Sequence, residues 1–279
     1  MTDFVPAQQP VGCQYINRKN TVEIADVKTI KSLQIGVGWL PEEKGNGLDR
    51  VFYALTRNLP DAGVNVRGLV VGSSNVIQDS ENKVQSFAAK DESLRRRIGS
   101  LRSTLRSELA QNDFDLVASH FALFTYPILK LIRNYPLVIH FHGPWSAESH
   151  AEGEGRLAVK AKFALERAVY KSADRFIVLS DAFRNVLVER YKIDPQKIRK
   201  VQGGVQTERF DTGMDLFEAR ERLGWPTDRP IVFVVRRLAR RMGLENLIAA
   251  MVQVRQRMPD VLLHIAGSGP IRSELEDRI

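Results

Sequence analysis

The sequence contains a single cysteine, Cys13, so the chain cannot form a disulfide bond within itself. It has no apolar run near the roughly 18–20 residues that a membrane-spanning helix requires. Its longest apolar runs, residues 136–141 and 231–235, have the length of strands. Residues 1–30 also lack the apolar core of a signal peptide. These absences argue against a disulfide-bonded secreted scaffold and a membrane-spanning protein, and they predict a flexible leader at residues 1–30 of a cytoplasmic protein.

The charge of the chain is unevenly distributed. The formal net charge is +8, in a composition of 43% hydrophobic and 27% charged residues that is typical of a globular protein. Residues 31–200 carry 26 Lys and Arg against 19 Asp and Glu, whereas residues 201–279 carry 12 against 11. The basic excess of the first region suits an anionic partner such as a phosphate or an acidic membrane surface, and a solvated basic surface is the alternative.

Apolar runs of strand length alternate with segments of helical periodicity through residues 31–200. The strongest helical period lies in residues 91–110, from Asp91 to Ala110, where leucine and isoleucine recur at steps of three or four. This alternation predicts parallel βαβ units and therefore an α/β fold whose sheet is covered on both faces. Residues 202–230 are rich in glycine and proline, which indicates a linker.

A second, shorter series of strands and helices follows this linker. Residues 231–235 read as a buried strand, residues 244–257 as a helix and residues 261–266 as a second strand. A doubly wound domain normally has five or more strands, and two strands leave a sheet edge open and little core. We therefore expect a leader at residues 1–30, a first domain at residues 31–200 and an incomplete second domain at residues 201–279.

A glycine-rich turn precedes the first predicted helix. Lys44, Gly45, Asn46 and Gly47 stand between a strand and a helix, where glycines allow close backbone approach and the helix N-terminus offers free N–H groups to a phosphate. A plain strand-to-helix turn is the alternative. A nicotinamide site is disfavoured, because Pro41 stands where a dinucleotide fingerprint has its third glycine.

Two histidines end the predicted strand at residues 136–141. His140 and His142 share one face by the period of two, at the carboxyl end of a strand, where parallel sheets bind ligands. A metal site would need further ligands, and nothing in the spacing of His120 or His150 connects them to this pair. The pattern therefore favours a histidine that contacts a substrate, with a structural histidine as the alternative.

Four arginines follow the first strand of the second domain. Residues 236–241 contain Arg236, Arg237, Arg240 and Arg241, and fixed guanidinium groups at the carboxyl end of a strand suit a diphosphate. A basic surface loop is the alternative. Nucleic-acid binding is disfavoured, because no nucleic-acid-binding motif accompanies the charge.

The order of these motifs along the chain resembles that of family 4 of the retaining glycosyltransferases. Members of this family have two Rossmann-like lobes, an arrangement called the GT-B fold. The resemblance covers residues 33–279. It rests on six motifs: Gly45-Asn46-Gly47; His142-Gly143; Ala164-Leu165-Glu166-Arg167 with Ala173-Asp174 and Ser180; Gly203-Gly204-Val205-Gln206-Thr207-Glu208-Arg209-Phe210; Arg237-Leu238 with Met242-Gly243; and His264-Ile265-Ala266-Gly267-Ser268-Gly269-Pro270.

The resemblance implies transfer of a sugar from a nucleotide diphosphate to an acceptor hydroxyl with retention, without a metal ion or cofactor. It implies that His142 and Arg237 are catalytic residues. It further implies that the donor is bound by Gly45, Asn46, Gly47, Gly143, Arg241, Gly267 and Gly269. Acceptor selection falls to the predicted loops at residues 73–90 and 144–154.

The sequence departs from the family pattern in two places. Met242 stands where the family usually has a lysine, so Arg241 or Arg240 would have to bind phosphate instead. The Glu-x7-Glu element of the family is not found, because Glu274 and Glu276 are too close together and too early in the chain. The sequence therefore leaves open an alternative, a truncated and non-catalytic glycosyltransferase remnant or binding protein.

The helix predicted at residues 91–110 carries arginines beside its apolar stripe. A basic amphipathic helix can lie on an anionic membrane, and related enzymes often use glycan or lipid-linked acceptors at the membrane. We therefore expect a cytoplasmic protein that can contact the inner membrane face through Asp91 to Ala110. Packing of the stripe on the sheet is the alternative.

Overall fold

The computed structural model describes residues 29–42, 47–205 and 207–279 of the protein. The strands in these residues are β1 Ile30–Gly38, β2 Val64–Val71, β3 Val84–Ala88, β4 Leu116–Ser119, β5 Leu137–Phe141, β6 Arg175–Val178, β7 Ile198–Lys200, β8 Ile231–Val235 and β9 Leu262–Ala266. The α-helices are α1 Gly47–Asn58, α2 Val76–Asp79, α3 Leu94–Gln111, α4 Ala122–Thr125, α5 Trp145–Ala151, α6 Arg156–Lys171, α7 Asp181–Tyr191, α8 Leu216–Leu223, α9 Leu244–Arg257 and α10 Arg272–Glu276.

The first seven strands form one parallel sheet, in the order β3-β2-β1-β4-β5-β6-β7. Every neighbouring pair is parallel, from β2–β3 at one edge to β6–β7 at the other. Parallel neighbours require a crossover connection, and helices supply most of these connections. The α/β fold predicted from the alternation of strands and helices is therefore confirmed.

The side chains of β1 show why this sheet is buried on both faces. Leu33 and Ile35 lie in the main hydrophobic core on one face, whereas Gly36, on the other face, packs under the ring of Phe52 from α1. Burial of each large apolar side chain contributes roughly 1.5–3 kcal/mol. The centre of the sheet is thus a rigid base for the residues at its carboxyl edge.

Helix α3 packs its apolar stripe against the protein. Leu101 and Leu105 are fully buried in the main core, and Leu94, in the first turn, is 45% exposed. The stripe is therefore occupied by intramolecular packing, which was the alternative to membrane contact. No helix in the described part of the chain has the length and apolarity needed to cross a membrane.

Strands β8 and β9 form a separate parallel sheet with a small core of its own. Leu244, Ile248 and Leu275 from α9 and α10 pack against one face of this sheet, where they meet Val234 and Ile265. On the other face, Trp225 contacts the rings of Phe233 and His264, and no helix of the described residues covers that face.

Strand β8 is less buried than its sequence predicts. Phe233 is 51% exposed and Val235 is 67% exposed. The prediction of a buried strand at residues 231–235 was therefore wrong, because helices of the described chain cover only one face of this two-stranded sheet.

Three segments predicted as loops contain regular structure. Residues 73–90 include α2 and the edge strand β3, residues 144–154 include α5, and residues 202–230 include α8. The Asp215 carboxylate accepts a hydrogen bond from the N–H of Glu218 at the start of α8, and Gly224 ends that helix with a φ of 65°. In residues 202–230, the frequent glycines and prolines indicated a linker, so Asp215 and Gly224 were not recognised as the residues that cap α8.

Candidate active site

Four polar side chains meet where strands β4 and β5 end, beside the middle of β1. Gln34 lies in β1, His120 follows β4, and His140 and His142 lie at the end of β5. The carboxyl edge of a parallel sheet is the common ligand-binding edge of open α/β folds. The predicted pair of histidines therefore belongs to a larger polar cluster.

The ring of His120 stacks on that of His140 and is joined by hydrogen bonds to His142 and Gln34. The ring centroids of His120 and His140 are 4.4 Å apart with an interplanar angle of 6°. Nδ1 of His120 lies 3.1 Å from Nε2 of His142, and Nε2 of His120 lies 3.0 Å from Oε1 of Gln34. The edge of Phe52 meets the His120 ring at a centroid distance of 5.3 Å.

Burial keeps all three imidazoles neutral at physiological pH. It lowers the pKa of His120 well below its usual value, and the neighbouring rings of His140 and His142 lower it further. Burial lowers the pKa of His142 to about 4, and burial together with His142 lowers the pKa of His140 to about 4. Protonation of any of these three rings to an imidazolium ion therefore costs free energy. At neutral pH the rings are uncharged and act as hydrogen-bond donors and acceptors.

The sequence alone did not place His120 in this cluster. His120 directly follows β4, so its position at the carboxyl edge of the sheet could have been inferred from the sequence. Its proximity to His142 depends on β4 and β5 being neighbours. No group of three or more His, Cys, Asp or Glu side chains that could hold a metal ion occurs in the described residues.

Gly143 follows the cluster in a backbone conformation that favours glycine. Its φ is 142°, and a Cβ at this position would lie 2.7 Å from Oε1 of Glu148. The chain then turns into α5. The buried carboxylate of Glu166 anchors this turn, because it accepts hydrogen bonds from the N–H of Ser146 at 3.2 Å and from the hydroxyl of Tyr191 at 2.9 Å.

Arg241 joins the second lobe to helix α5. Its Nη1 lies 2.8 Å from Glu148 and its Nε lies 2.9 Å from Glu152. The arginine side chain is only 24% exposed. Burial raises the pKa of Glu148, and the charge of Arg241 opposes that rise. This pair of contacts brings residues 236–243 close to the loop that begins with His142 and Gly143.

The other arginines of this segment have different surroundings. Arg240 pairs with Glu274 within the second lobe at 2.7 Å. Arg236 and Arg237 are exposed, and among the described residues neither has a carboxylate partner within ion-pair distance. The positive charge of these two side chains is available to an anion.

Gly267 and Gly269 pack against the backbone of the arginine segment. A Cβ on Gly267 would lie 1.9 Å from the carbonyl oxygen of Arg236, and one on Gly269 would lie 2.1 Å from the carbonyl oxygen of Leu238. The N–H of Leu238 donates to the carbonyl of Ser268 at 2.9 Å. The glycines are thus required for the two loops at the carboxyl ends of β8 and β9 to meet.

The sequence matches two glycosyltransferase profiles, one for each lobe. The profile described as Glycosyltransferase Family 4 matches residues 45–209. The chain belongs to this family. The profile described as Glycosyl transferases group 1 matches residues 215–279. The family recognised in the six motifs is therefore confirmed.

Several curated proteins with names of glycosyltransferases are similar to this chain. An alpha-D-kanosaminyltransferase of Streptomyces kanamyceticus is 31% identical over 55% of this chain and 41% of its own length. A D-inositol 3-phosphate glycosyltransferase of Acidothermus cellulolyticus is 26% identical over 85% of this chain and 53% of its own length. The chain therefore spans about half the length of these relatives.

A solved structure supports the two-lobed fold. HepE of Anabaena, in complex with UDP and glucose, superposes with a TM-score of 0.63 at 16% identity, over 90% of this chain and 65% of the HepE chain. The GT-B fold was predicted from the sequence, and the structure shows a parallel seven-stranded sheet in the first lobe. The likeness to HepE agrees with both.

The glycine turn that opens the family match is partly described. Gly45 and Asn46, predicted to bind the donor, lie outside the described residues, as does Lys44. Gly47 is the first residue of α1. Asp49 is buried and accepts a hydrogen bond from the N–H of Gly38 at 2.8 Å. This bond fixes the N-terminus of α1 at the carboxyl end of β1, on the edge where the histidine cluster lies.

Proposed function

We propose that the protein transfers a sugar from a nucleotide diphosphate donor to an acceptor hydroxyl, with retention of the anomeric configuration. One observation carries the proposal: Arg241 pairs with Glu148 across the two lobes. This contact brings the segment that contains the exposed Arg237 towards the loop that starts at His142. Membership of glycosyltransferase family 4 supports the type of reaction.

The proposed chemistry places the donor pyrophosphate between the lobes. The bond between the anomeric carbon and the phosphate oxygen breaks, and the acceptor oxygen bonds to that carbon on the same face. The departing diphosphate takes the acceptor proton. Negative charge grows on the leaving group, so preorganised cations and N–H donors beside it lower the barrier most.

In this proposal, Arg237 and the N-terminus of α1 bind the pyrophosphate from opposite lobes. The N–H groups at the start of a helix attract anions, and Gly45, Asn46 and Gly47 would let phosphate approach them. The turn with Gly267 and Gly269 would hold the arginine segment in place. His142 and Gly143 would contact the transferred sugar.

Arg241 has a second proposed role, as a phosphate ligand where the family usually has a lysine. In the structure its guanidinium is held by Glu148 and Glu152. Donor phosphates would have to replace these two carboxylates. Because both anions compete for the same fork of N–H groups, donor binding and the contact between the lobes would be coupled.

Donor binding can be measured by calorimetry with UDP, UDP-glucose and GDP-mannose. We expect saturable binding of one nucleotide class, which Arg237→Ala weakens at least tenfold, since a charged hydrogen bond contributes about 1.5–3 kcal/mol. Arg255→Ala removes an equal charge from an exposed position on α9 and should leave the dissociation constant unchanged. Absence of binding by the wild-type chain would instead support a non-catalytic binding protein.

The acceptor is proposed to be a glycan or a lipid-linked saccharide at the cytoplasmic membrane face. Leu101 and Leu105 at the centre of the apolar stripe of α3 are fully buried, so membrane contact there would be mainly electrostatic. It would use the exposed arginines Arg95, Arg96, Arg102 and Arg106. Flotation with anionic vesicles, but not with neutral ones, is expected. Neutralising Arg102 and Arg106 should reduce it, and equal binding to both vesicle types would contradict the proposal.

A further inference from the structure

We infer that His120 is a positioning residue, which fixes the tautomer of His142 through a hydrogen-bond chain that starts at Gln34. In this chain His142 carries its proton on Nε2 and keeps the lone pair on Nδ1. The inference deepens the proposed function and rests on it only for the role of His142 at the sugar.

The direction of the chain follows from the buried amide of Gln34. In the amide orientation of this structure, its Nε2 donates to Oγ of Ser32 at 2.9 Å and its Oε1 lies 3.0 Å from Nε2 of His120. A carbonyl oxygen can only accept, so Nε2 of His120 must carry the proton of that ring. Ser32 and Gln34 are both almost fully buried in β1, so water cannot supply a substitute partner.

The next link is set by the chemistry of a neutral imidazole. With its proton on Nε2, His120 has a lone pair on Nδ1. This Nδ1 faces Nε2 of His142 at 3.1 Å, so the His142 nitrogen must be the donor. His142 is then left with a lone pair on Nδ1, and this nitrogen would be the acceptor that His142 offers to a ligand in the proposed sugar subsite.

Packing holds the rings in this arrangement. His120 stacks on His140 at a centroid distance of 4.4 Å, and the ring of Phe52 contacts it at 5.3 Å in a T-shaped arrangement. The ring therefore cannot rotate to exchange its nitrogens without disturbing the core. Because burial keeps the pKa values of the histidines low, protonation does not erase the distinction between the two nitrogens at neutral pH.

The chain assigns a hydrogen-bonding preference to the proposed sugar subsite. A hydroxyl group can donate to the Nδ1 lone pair of His142, whereas a group with no donor hydrogen cannot. We therefore expect a sugar whose group beside His142 is a hydroxyl. Loss of one such hydrogen bond costs about 1.4 kcal/mol, which corresponds to about tenfold in kcat/KM.

Nitrogen-15 NMR of the histidine side chains tests the inference in the protein without any substrate. The sequence has five histidines, so variants can assign each ring. We expect His142 as the Nε2–H tautomer, with no titration between pH 6 and 8, and the exposed His150 serves as the reference ring. An Nδ1–H tautomer of His142 in the wild-type protein would overturn the inference without the need for any variant that must fold.

Two substitutions at His120 separate positioning from packing. His120→Phe keeps an aromatic ring but removes the acceptor, so His142 should become a mixture of tautomers. His120→Asn keeps an acceptor near the position of Nδ1 and should retain the wild-type tautomer. His140→Phe is the matched control, because it preserves the stack and lies outside the hydrogen-bond chain. A mixed tautomer in this control would contradict the inference.

Kinetics would separate this inference from the proposed function. If transfer occurs, His120→Phe should lower kcat/KM about tenfold for the natural sugar, and His120→Asn should restore most of the loss. A correct tautomer in a protein that binds no nucleotide sugar would uphold the positioning and refute the transferase. An Nδ1–H tautomer of His142 in an active enzyme would refute the positioning by His120 and uphold the transferase.

Discussion

Phe176 in β6 and Phe233 in β8 lie in short, apolar strands of parallel sheets, one in each lobe. Phe176 is fully buried, whereas Phe233 is 51% exposed and has Trp225 beside it at a centroid distance of 5.0 Å. The seven-stranded sheet buries both faces, whereas the two-stranded sheet buries one. An apolar composition therefore shows that a strand can be buried. Whether it is buried depends on the elements that pack against its two faces.

The largest expected difference between the lobes is in the cost of removing these rings. Phe176→Ala should lower the free energy of unfolding by about 3–5 kcal/mol, because it leaves a cavity in a dense core. Phe233→Ala should cost about 1 kcal/mol, because half of the residue is already exposed and complete burial of such a side chain contributes only roughly 1.5–3 kcal/mol. Urea unfolding of both variants measures the difference, and equal costs would break the comparison.

The histidine cluster makes the stability of the first lobe depend on pH. Burial lowers the pKa of His142 from 6.5 to about 4, so the unfolded chain binds more protons between these values. Stability should be constant above pH 7 and fall as the pH drops from 6.5 towards 4, by roughly 3 kcal/mol for this group.

Urea midpoints at several pH values measure this loss. His142→Asn should flatten part of the slope, and the conservative surface change His150→Asn should not. A midpoint that does not change between pH 7 and pH 4.5 would contradict the burial of the cluster.

The turn between β9 and α10 is tightly packed, although it lies in the less buried second lobe. Gly267→Ala would place a Cβ against the Arg236 carbonyl, and Gly213→Ala meets no atom within 4 Å. We expect Gly267→Ala to destabilise by about 1–3 kcal/mol through overpacking and to weaken nucleotide binding. Gly213→Ala introduces only backbone strain, since its φ is 66°, and should leave nucleotide binding unchanged. Calorimetry on both variants would decide, and equal loss of binding would count against the role of the turn.

The smallest expected effect on stability concerns the contact between the lobes. Arg241→Ala removes partly exposed ion pairs to Glu148 and Glu152 and should cost about 0.5–1 kcal/mol. It should nevertheless widen the distribution of distances between the lobes, measured with a spin label on each. Arg240→Ala breaks the pair with Glu274 inside one lobe, and the same broadening in that variant would show that Arg241 has no special role.

The sequence was informative where the signal is local. The α/β alternation, the limits of α9 and the position of His142 and Gly143 at the end of β5 follow from periodicity and chain order. The glycine- and proline-rich stretch at residues 202–230 indicated two domains, and the arginine segment after β8 could be read directly from the sequence.

The remaining features depend on contacts between distant segments. The link between His120 and His142 requires β4 and β5 to be neighbours, and the pairing of Arg241 with Glu148 depends on how the second lobe meets α5. The exposure of Phe233 depends on what covers a sheet face. None of these leaves a pattern within a short window of sequence.

Hydrogen–deuterium exchange with and without UDP-glucose, or whichever donor the calorimetry identifies, tests most directly whether a donor is held between the lobes. The account predicts slower amide exchange at the start of α1 in one lobe and in residues 236–243 and 267–269 in the other, with α3 unchanged as the internal reference. Protection in one lobe alone, or in neither, would contradict it.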